Sequence, residues 1–287
     1  MIKEFANAKS ISEAAELLKK PGARILAGGT TFFEFYERGL LSDVETIIDI
    51  EEAGLNYVVE DSQNYRVGAG TTLEDLRRNR LFDAPQYQAL KEAVQKVEPV
   101  QIRNVATIGG SLCSALPQYD PPIGLWALNA NVVIVGGDIE RVVSVDEFTK
   151  GFLSPDLQAG ELVKEILIPK YGMSVGSSYQ KLGRTRFDYG IVTVASLLEI
   201  DGGGSVKNAS VVLGNYHEEK PFRAIEVEKR LIGHKASSQT ISEAMGVLDD
   251  TSPPSAIHAS SEFKKELAKT LVARSLSTSH ERAVHVR

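Results

Sequence analysis

Apolar positions recur along the chain with two periods, and the changes of period mark out the elements. Ser10-Ile11-Ser12-Glu13 reads as a capping box, and Ile11, Ala14, Ala15 and Leu18 form the stripe of a helix that Pro21-Gly22 ends. Arg24 to Ala27 reads as a short buried strand. Phe32, Phe33, Tyr36 and Leu40 then fall at helical spacing, and Thr46 to Ile50 is apolar enough for a second strand. From Tyr57 the texture changes to paired strands, Tyr57 to Glu60 and Tyr65 to Gly68, around the polar turn Asp61 to Asn64. Thr71 and Glu74 predict another capping box, and Leu90, Ala93, Val94 and Val97 stripe a further helix. Strands are expected at Val132 to Val135, Ile139 to Val143 and Leu162 to Ile168, with a boundary at Pro169-Lys170-Tyr171-Gly172. After Met173 come two long strands joined at Asp201-Gly202-Gly203-Gly204, then helices over Phe222 to Leu231, Ser238 to Leu248 and Glu262 to Leu276. Ser277 to Arg287 carries no pattern that predicts order. The class is α+β, with parts at 1–56, 57–173 and 174–287.

Two diglycine loops stand out against this pattern. They are Leu26-Ala27-Gly28-Gly29-Thr30-Thr31 and Ala106-Thr107-Ile108-Gly109-Gly110-Ser111. Glycines let a main chain approach an anion closely and adopt positive φ, while successive amides and flanking hydroxyls supply donors. Either segment alone reads as a turn. Together, with the first opening a helix whose positive end would face the ligand, they describe a cradle for a pyrophosphate and hence for a dinucleotide. There is no GxGxxG, so the pattern is not a Rossmann fingerprint. Downstream, Asp120 precedes Pro121-Pro122 and the apolar run Ile123 to Leu128, which suits a helix N-cap; the same carboxylate could accept hydrogen bonds from a ligand.

Composition narrows the classes. At 287 residues, with 43% apolar and 24% charged residues, the chain can bury a substantial core. A net charge of −6 gives no electrostatic footprint for nucleic acid. No apolar run approaches the roughly 20 residues of a membrane span, and Met1-Ile2-Lys3-Glu4-Phe5 lacks a signal peptide's apolar segment, so a cytoplasmic location is the default expectation. The single cysteine, Cys113, can make no internal disulfide and cannot hold an iron-sulfur cluster; among small residues it reads as packing near the ligand. The five histidines show no metal-ligand spacing, and there is no GxSxG elbow.

The string QIRNVATIGGSLCSALPQYDPP, with LAGGTT upstream and VGAGTTLEDL between, closely resembles the FAD-binding medium subunit of the molybdenum hydroxylases, the xanthine dehydrogenase and carbon monoxide dehydrogenase family. The resemblance continues through Gly160-Glu161-Leu162-Val163, Gln180-Lys181-Leu182, Arg184, Asp188-Tyr189 and Ser260 to Lys265, and so covers essentially the whole chain. It implies a two-part PCMH-type FAD-binding domain followed by a carbon-monoxide-dehydrogenase-flavoprotein-like C-terminal α+β domain. It further implies electron transfer: substrate oxidised at a molybdopterin-type molybdenum cofactor on a large subunit, electrons crossing [2Fe-2S] clusters on a small subunit, and FAD on this chain passing them to an external acceptor. A dimer of heterotrimers is the implied assembly.

By position, the resemblance assigns the pyrophosphate to Leu26, Ala27, Gly28, Gly29, Thr30 and Thr31, and to Ala106, Thr107, Ile108, Gly109, Gly110 and Ser111. Ser114 and Asp120 fall on the ribityl or flavin side, and Leu162 and Val163 form an apolar wall. Lys181 matches a lysine near the flavin pyrimidine, and Tyr189 a tyrosine over the ring. Tyr119 is a departure, since the family commonly has a small residue before the aspartate; it implies a covered flavin edge or a narrowed acceptor path. Two other classes stay open: a self-contained flavin oxidoreductase, which would need its own proton donor or base, and a flavin-free structural subunit, in which damaged glycine segments would be expected.

Overall fold

A computed structural model describes residues 2–137 and 139–285. The chain divides into two units, each drawn from separate stretches. The first comprises Met1–Leu76, Pro99–Ala115 and Ala130–Pro169, the second Arg77–Glu98, Leu116–Asn129 and Lys170–Arg287.

The first unit opens with β1 (Glu4–Asn7), α1 (Ile11–Leu17), β2 (Ala23–Leu26), α2 (Thr30–Glu37) and β3 (Thr46–Asp49). The strands form a parallel sheet in the order β1-β3-β2, with Ile25 opposite Ile48. Ser10 caps α1 by accepting the Glu13 amide at 3.2 Å, and the Glu13 carboxylate accepts the Lys9 amide at 2.7 Å. Four-residue β1 has no alternation to announce it, since Phe5 faces solvent. Next come β4 (Val58–Glu60), β5 (Asn64–Gly68) and the helix α3 (Leu73–Arg78), of which Leu73 to Leu76 are counted in this unit. The capping box expected at Thr71 lies one residue on. Thr72 accepts the Asp75 amide at 3.1 Å, because Thr71 is buried with its hydroxyl bridging the Tyr57 amide and carbonyl.

After α4 (Gln88–Gln95), which belongs to the second unit, the first unit resumes with α5 (Val100–Val105) and α6 (Ile108–Cys113). The helix α7 (Asp120–Ala127) again belongs to the second unit. The first then ends with β6 (Asn131–Gly136), β7 (Ile139–Ser144), α8 (Val145–Phe148), the small pair β8 (Thr149–Gly151) and β9 (Ser154–Pro155), and β10 (Leu162–Pro169). A five-stranded antiparallel sheet runs β4-β5-β10-β6-β7. Ala14, Ala15, Ile48 and Leu55 share one core cluster with Val135 and Leu162 of that sheet.

The second unit is built on β11 (Val175–Leu182), β12 (Val192–Ile200), β13 (Val206–Gly214) and β14 (Phe222–Arg223), antiparallel in that order, with α9 (Ile225–Leu231), α10 (Ser238–Met245) and α11 (Ser261–Val284). Alternation assigns the two faces of β11. The Ser177 hydroxyl accepts the Ala89 amide of α4 at 2.9 Å, whereas Ser178 meets Ser275 of α11 at 2.8 Å. Helices therefore cover both faces, and Val192 to Leu198 is buried throughout.

Two expectations are corrected here. Phe222 and Arg223 pair with Leu213 and Val212 as a strand, so α9 begins only at Ile225. The stretch from Ser277 continues α11 to Val284; residues 286 and 287 lie outside the described residues. Past Leu276 its buried positions are Ser279 and Ala283 instead of large apolar residues. The hydroxyls of Ser178, Ser196, Ser275 and Ser279 bond to one another, and a Cβ on Gly176 would overlap the Ser279 carbonyl, so the helix packs unusually close to the sheet.

Candidate functional site

Both diglycine segments belong to the first unit. The first leaves β2 at Leu26, whose carbonyl accepts the Ile50 amide at 3.2 Å, and turns through Ala27 and Gly28. Gly29 is the N-cap of α2 at φ 70°, a conformation that glycine adopts without strain. Having no side chain, it makes no side-chain cap bond to the first turn of α2. Gly28 explains itself differently. A Cβ there would overlap the Val105 carbonyl and stand 2.8 Å from the Ala106 Cα. The two diglycine segments thus meet backbone to backbone.

The second segment is a short helix with its cap, not a loop. Thr107 is the N-cap of α6 and accepts the Gly110 amide at 3.0 Å. The neighbouring amides are also committed: Ile108 donates to the Thr71 carbonyl, Gly109 to that of Ala69 and Ser111 to that of Thr107, at 3.0, 2.9 and 2.9 Å. The Ser111 and Ser114 hydroxyls donate to the carbonyls of Thr107 and Gly110 at 2.9 and 2.8 Å. A Cβ on Gly109 would stand 2.6 Å from that of Ala69, so this glycine too is demanded by packing. The Thr107 hydroxyl differs from its neighbours. It accepts the amide of Gly110, and its own proton is left to donate. Sequence reasoning missed the buried ion pair that steadies the approach to this segment, Arg103 Nε to Glu74 at 3.0 Å. Leu162 and Val163 are buried in β10 opposite Val135 and Ile134; Leu162 lies in the core cluster against which Ala27 packs. Burial pushes the Cys113 thiol up to about 12, which makes it a poor nucleophile.

The remaining candidates, Tyr119, Asp120, Lys181 and Tyr189, belong to the second unit. Asp120 occupies the first position of α7, behind the N-cap Tyr119, and makes no cap bond. Its carboxylate instead accepts the Tyr179 hydroxyl at 2.6 Å and the Lys181 ammonium at 2.7 Å. The Lys181 and Asp120 side chains are only 8% and 4% exposed. Burial raises the Asp120 carboxyl above the ordinary carboxylate range, against the opposing pull of Lys181 and Tyr179. Burial, with the Asp120 charge beside it, also holds the Tyr179 phenol well above its usual value. Tyr179 was not among the sequence candidates, although it stands two residues before Lys181 on β11 and therefore on the same face. The rings of Tyr119 and Tyr189 stack, with centroids 5.6 Å apart and planes at 23°. Among the described residues no cluster of His, Cys, Asp and Glu could hold a metal, and no helix is long and apolar enough to cross a membrane.

Comparison with known proteins places this geometry in context. Residues 2–171 match the family model described as the FAD binding domain in molybdopterin dehydrogenase, and residues 177–279 the carbon monoxide dehydrogenase flavoprotein C-terminal domain. The chain is 31% identical over 273 residues to the glyceraldehyde dehydrogenase medium chain of Sulfolobus acidocaldarius, covering 94% of this chain and 95% of that one. It is 26% identical to the carbon monoxide dehydrogenase medium chain of Hydrogenophaga pseudoflava, covering 97% of each. A solved structure of carbon monoxide dehydrogenase from Hydrogenophaga pseudoflava matches with a TM-score of 0.92 at 26% identity, covering 98% of each chain. The architecture read from the sequence, an FAD-binding part followed by a carbon-monoxide-dehydrogenase-flavoprotein-like α+β part, is the observed one.

Proposed function

The chain belongs to the FAD-binding family of molybdopterin dehydrogenases, and we propose that it works as the electron-relay subunit of a molybdenum hydroxylase. It is an oxidoreductase flavoprotein subunit with FAD as its cofactor. FAD supplies two-electron chemistry that no side chain of this protein offers, and the protein's part is to bind, orient and tune it.

The observation that carries this reading is the backbone apposition of Gly28 with Val105 and Ala106 in the first unit. It joins the segment that opens α2 to the one that leads into Thr107, the N-cap of α6. Amides at a helix start favour an anion, so Gly29, Thr30 and Thr31 with Thr107 Oγ1 are assigned to the pyrophosphate. Ala106, Ile108, Gly109, Gly110 and Ser111 shape this site and hold Thr107 in place, since their donors are engaged inside the unit or their Cβ would collide. Leu26, Leu162 and Val163 support it from the core. Ser114 and Asp120 are assigned to the ribityl or flavin side, and Tyr189 to the ring. Lys181 is assigned to the pyrimidine end as half of an ion pair. Its field on a reduced flavin is that of the Asp120–Lys181 dipole, weaker than that of a lone ammonium.

The partners in this reading are a large subunit with a molybdopterin-type cofactor and a small [2Fe-2S] subunit, in a dimer of heterotrimers, with an external acceptor taking the electrons. One cysteine cannot ligate the clusters that feed the flavin, so electrons enter across a subunit contact. The chain expressed alone should bind FAD yet give no substrate-dependent dye reduction, and activity should return only with both partners. Dye reduction by the isolated chain would overturn the relay role and favour a self-contained flavoenzyme.

A further inference from the structure

Asn215, just beyond β13, has a left-handed backbone, with φ 54°. Asparagine tolerates this region better than most residues, but the conformation still has to be held in place by its surroundings. Hydrogen bonds to two separate segments do so, the longest from Nδ2 to the Ile191 carbonyl at 3.5 Å. The Asn215 amide donates to the Pro117 carbonyl at 2.7 Å, and its Nδ2 donates to the Gly190 carbonyl at 2.7 Å. Both acceptors are carbonyls, so the side-chain atom facing Gly190 must be the nitrogen.

Pro117 lies two residues before Tyr119, and Gly190 directly follows Tyr189. One residue therefore ties together the two segments whose tyrosines stack, all within the second unit. The β11–β12 loop has its own internal order, with Asp188 accepting from Arg184 Nε and from the Thr185 amide, each at 3.2 Å. Its register therefore depends on its anchors. Gly190 itself leaves no room for a side chain, because a Cβ there would overlap the Thr193 methyl.

We propose that Asn215 is a positioning residue for the electron acceptor's approach: it locks Tyr189 against Tyr119, and this stack decides which acceptors reach the reduced flavin. The inference rests on the flavin reading above. Small acceptors pass the closed stack, whereas broad planar ones require it to part. In the steps concerned, reduced flavin gives two electrons and two protons to dioxygen, forming hydrogen peroxide, or to a quinone, forming the quinol.

Asn215→Gly isolates the clamp. Glycine accepts positive φ and keeps the amide bond to Pro117, while the side-chain bonds to Gly190 and Ile191 are lost. Asn215→Asp keeps the shape but turns a carboxylate toward the Gly190 carbonyl, and should loosen the loop further. Hydrogen exchange needs no flavin. Loss of this side-chain anchor should speed exchange over residues 183–191 by about two- to tenfold in Asn215→Gly, with residues 117–120 unchanged. In FAD-loaded protein, photoreduced with a sacrificial amine, the ratio of reoxidation rates for a substituted naphthoquinone against dioxygen should rise severalfold in Asn215→Gly and in Tyr119→Ala. Unchanged exchange over 183–191 overturns the clamp, and faster exchange with an unchanged rate ratio overturns the acceptor role. Wild-type protein that takes up no FAD would sink the flavin reading itself, and the exchange experiment would still decide the clamp.

Discussion

The first unit's diglycine segments and the second unit's Asp120 cluster are built on opposite principles. In the first unit the geometry is made by main chain. Gly28 exists to let Val105 and Ala106 come close, Gly109 to admit Ala69, and Gly29 to take positive φ. In the second unit it is made by side chains, with a carboxylate, a phenol and an ammonium closing on one another at buried positions. A backbone site fails when a side chain is added. A side-chain site fails when one partner is taken away. That difference yields separable expectations.

The largest effect should come from Gly28→Ala. Its methyl would overlap a carbonyl that cannot move without displacing α5, so the first unit should lose about 5 kcal/mol or fail to fold. Denaturant unfolding measures this, and a near-neutral result would mean that the segments do not meet as described.

Lys181→Met should come next. Removing one partner of a buried ion pair typically costs about 3–5 kcal/mol, because the other charge is left without compensation. The adjoining pH dependence has a definite sign. Burial raises the Asp120 carboxyl in the folded state, so between the unfolded value of about 3.9 and the folded one the folded protein holds the extra proton. Asp120 therefore stabilises fully below that window, and stability falls as pH rises through it. Without Lys181 the window should extend upward. The defect of Lys181→Met should shrink on acidification, and Lys181→Met with Asp120→Asn should recover most of the loss. A defect independent of pH would locate the damage elsewhere.

Tyr179→Phe should cost less, about 1.5–3 kcal/mol for one hydrogen bond to a charged group, and should push the Asp120 carboxyl further up. Titration of Asp120 by NMR would read the shift directly. No shift would show that Tyr179 does not steady the carboxylate.

The same contrast explains what could be read from the chain alone. A diglycine segment is contiguous, so Gly28-Gly29 and Gly109-Gly110 are visible as strings, and α2 follows from Phe32, Phe33 and Tyr36. What no string reveals is that the Ile108 and Gly109 amides are already engaged, because their acceptors, the Thr71 and Ala69 carbonyls, are remote in sequence. Asp120 was legible as a polar residue at a helix start, but its partners come from β11, some 60 residues on, and their convergence is a property of the tertiary fold. The serines of α11 misled for another reason. Past Leu276 the buried positions are Ser279 and Ala283, which make no hydrophobic stripe, so the sequence there does not announce the helix that continues to Val284. Asn215 left no sequence signal beyond being an asparagine at the end of a strand.

Gly110 offers the most direct test of the central claim, that the first unit's paired segments hold FAD. Unlike Gly28 and Gly109, it faces no backbone carbonyl or Cα of another segment. A Cβ there would meet the Thr107 hydroxyl oxygen at 2.9 Å. Gly110→Val should therefore displace the hydroxyl assigned to the pyrophosphate while leaving the fold largely intact. The measurement is the flavin released per chain from purified wild-type and Gly110→Val protein after incubation with excess FAD, with thermal unfolding of both as a control. A nearly full complement is expected in the wild type and a large loss in the variant, at similar folded fractions. A folded Gly110→Val protein that keeps its full flavin would contradict that claim.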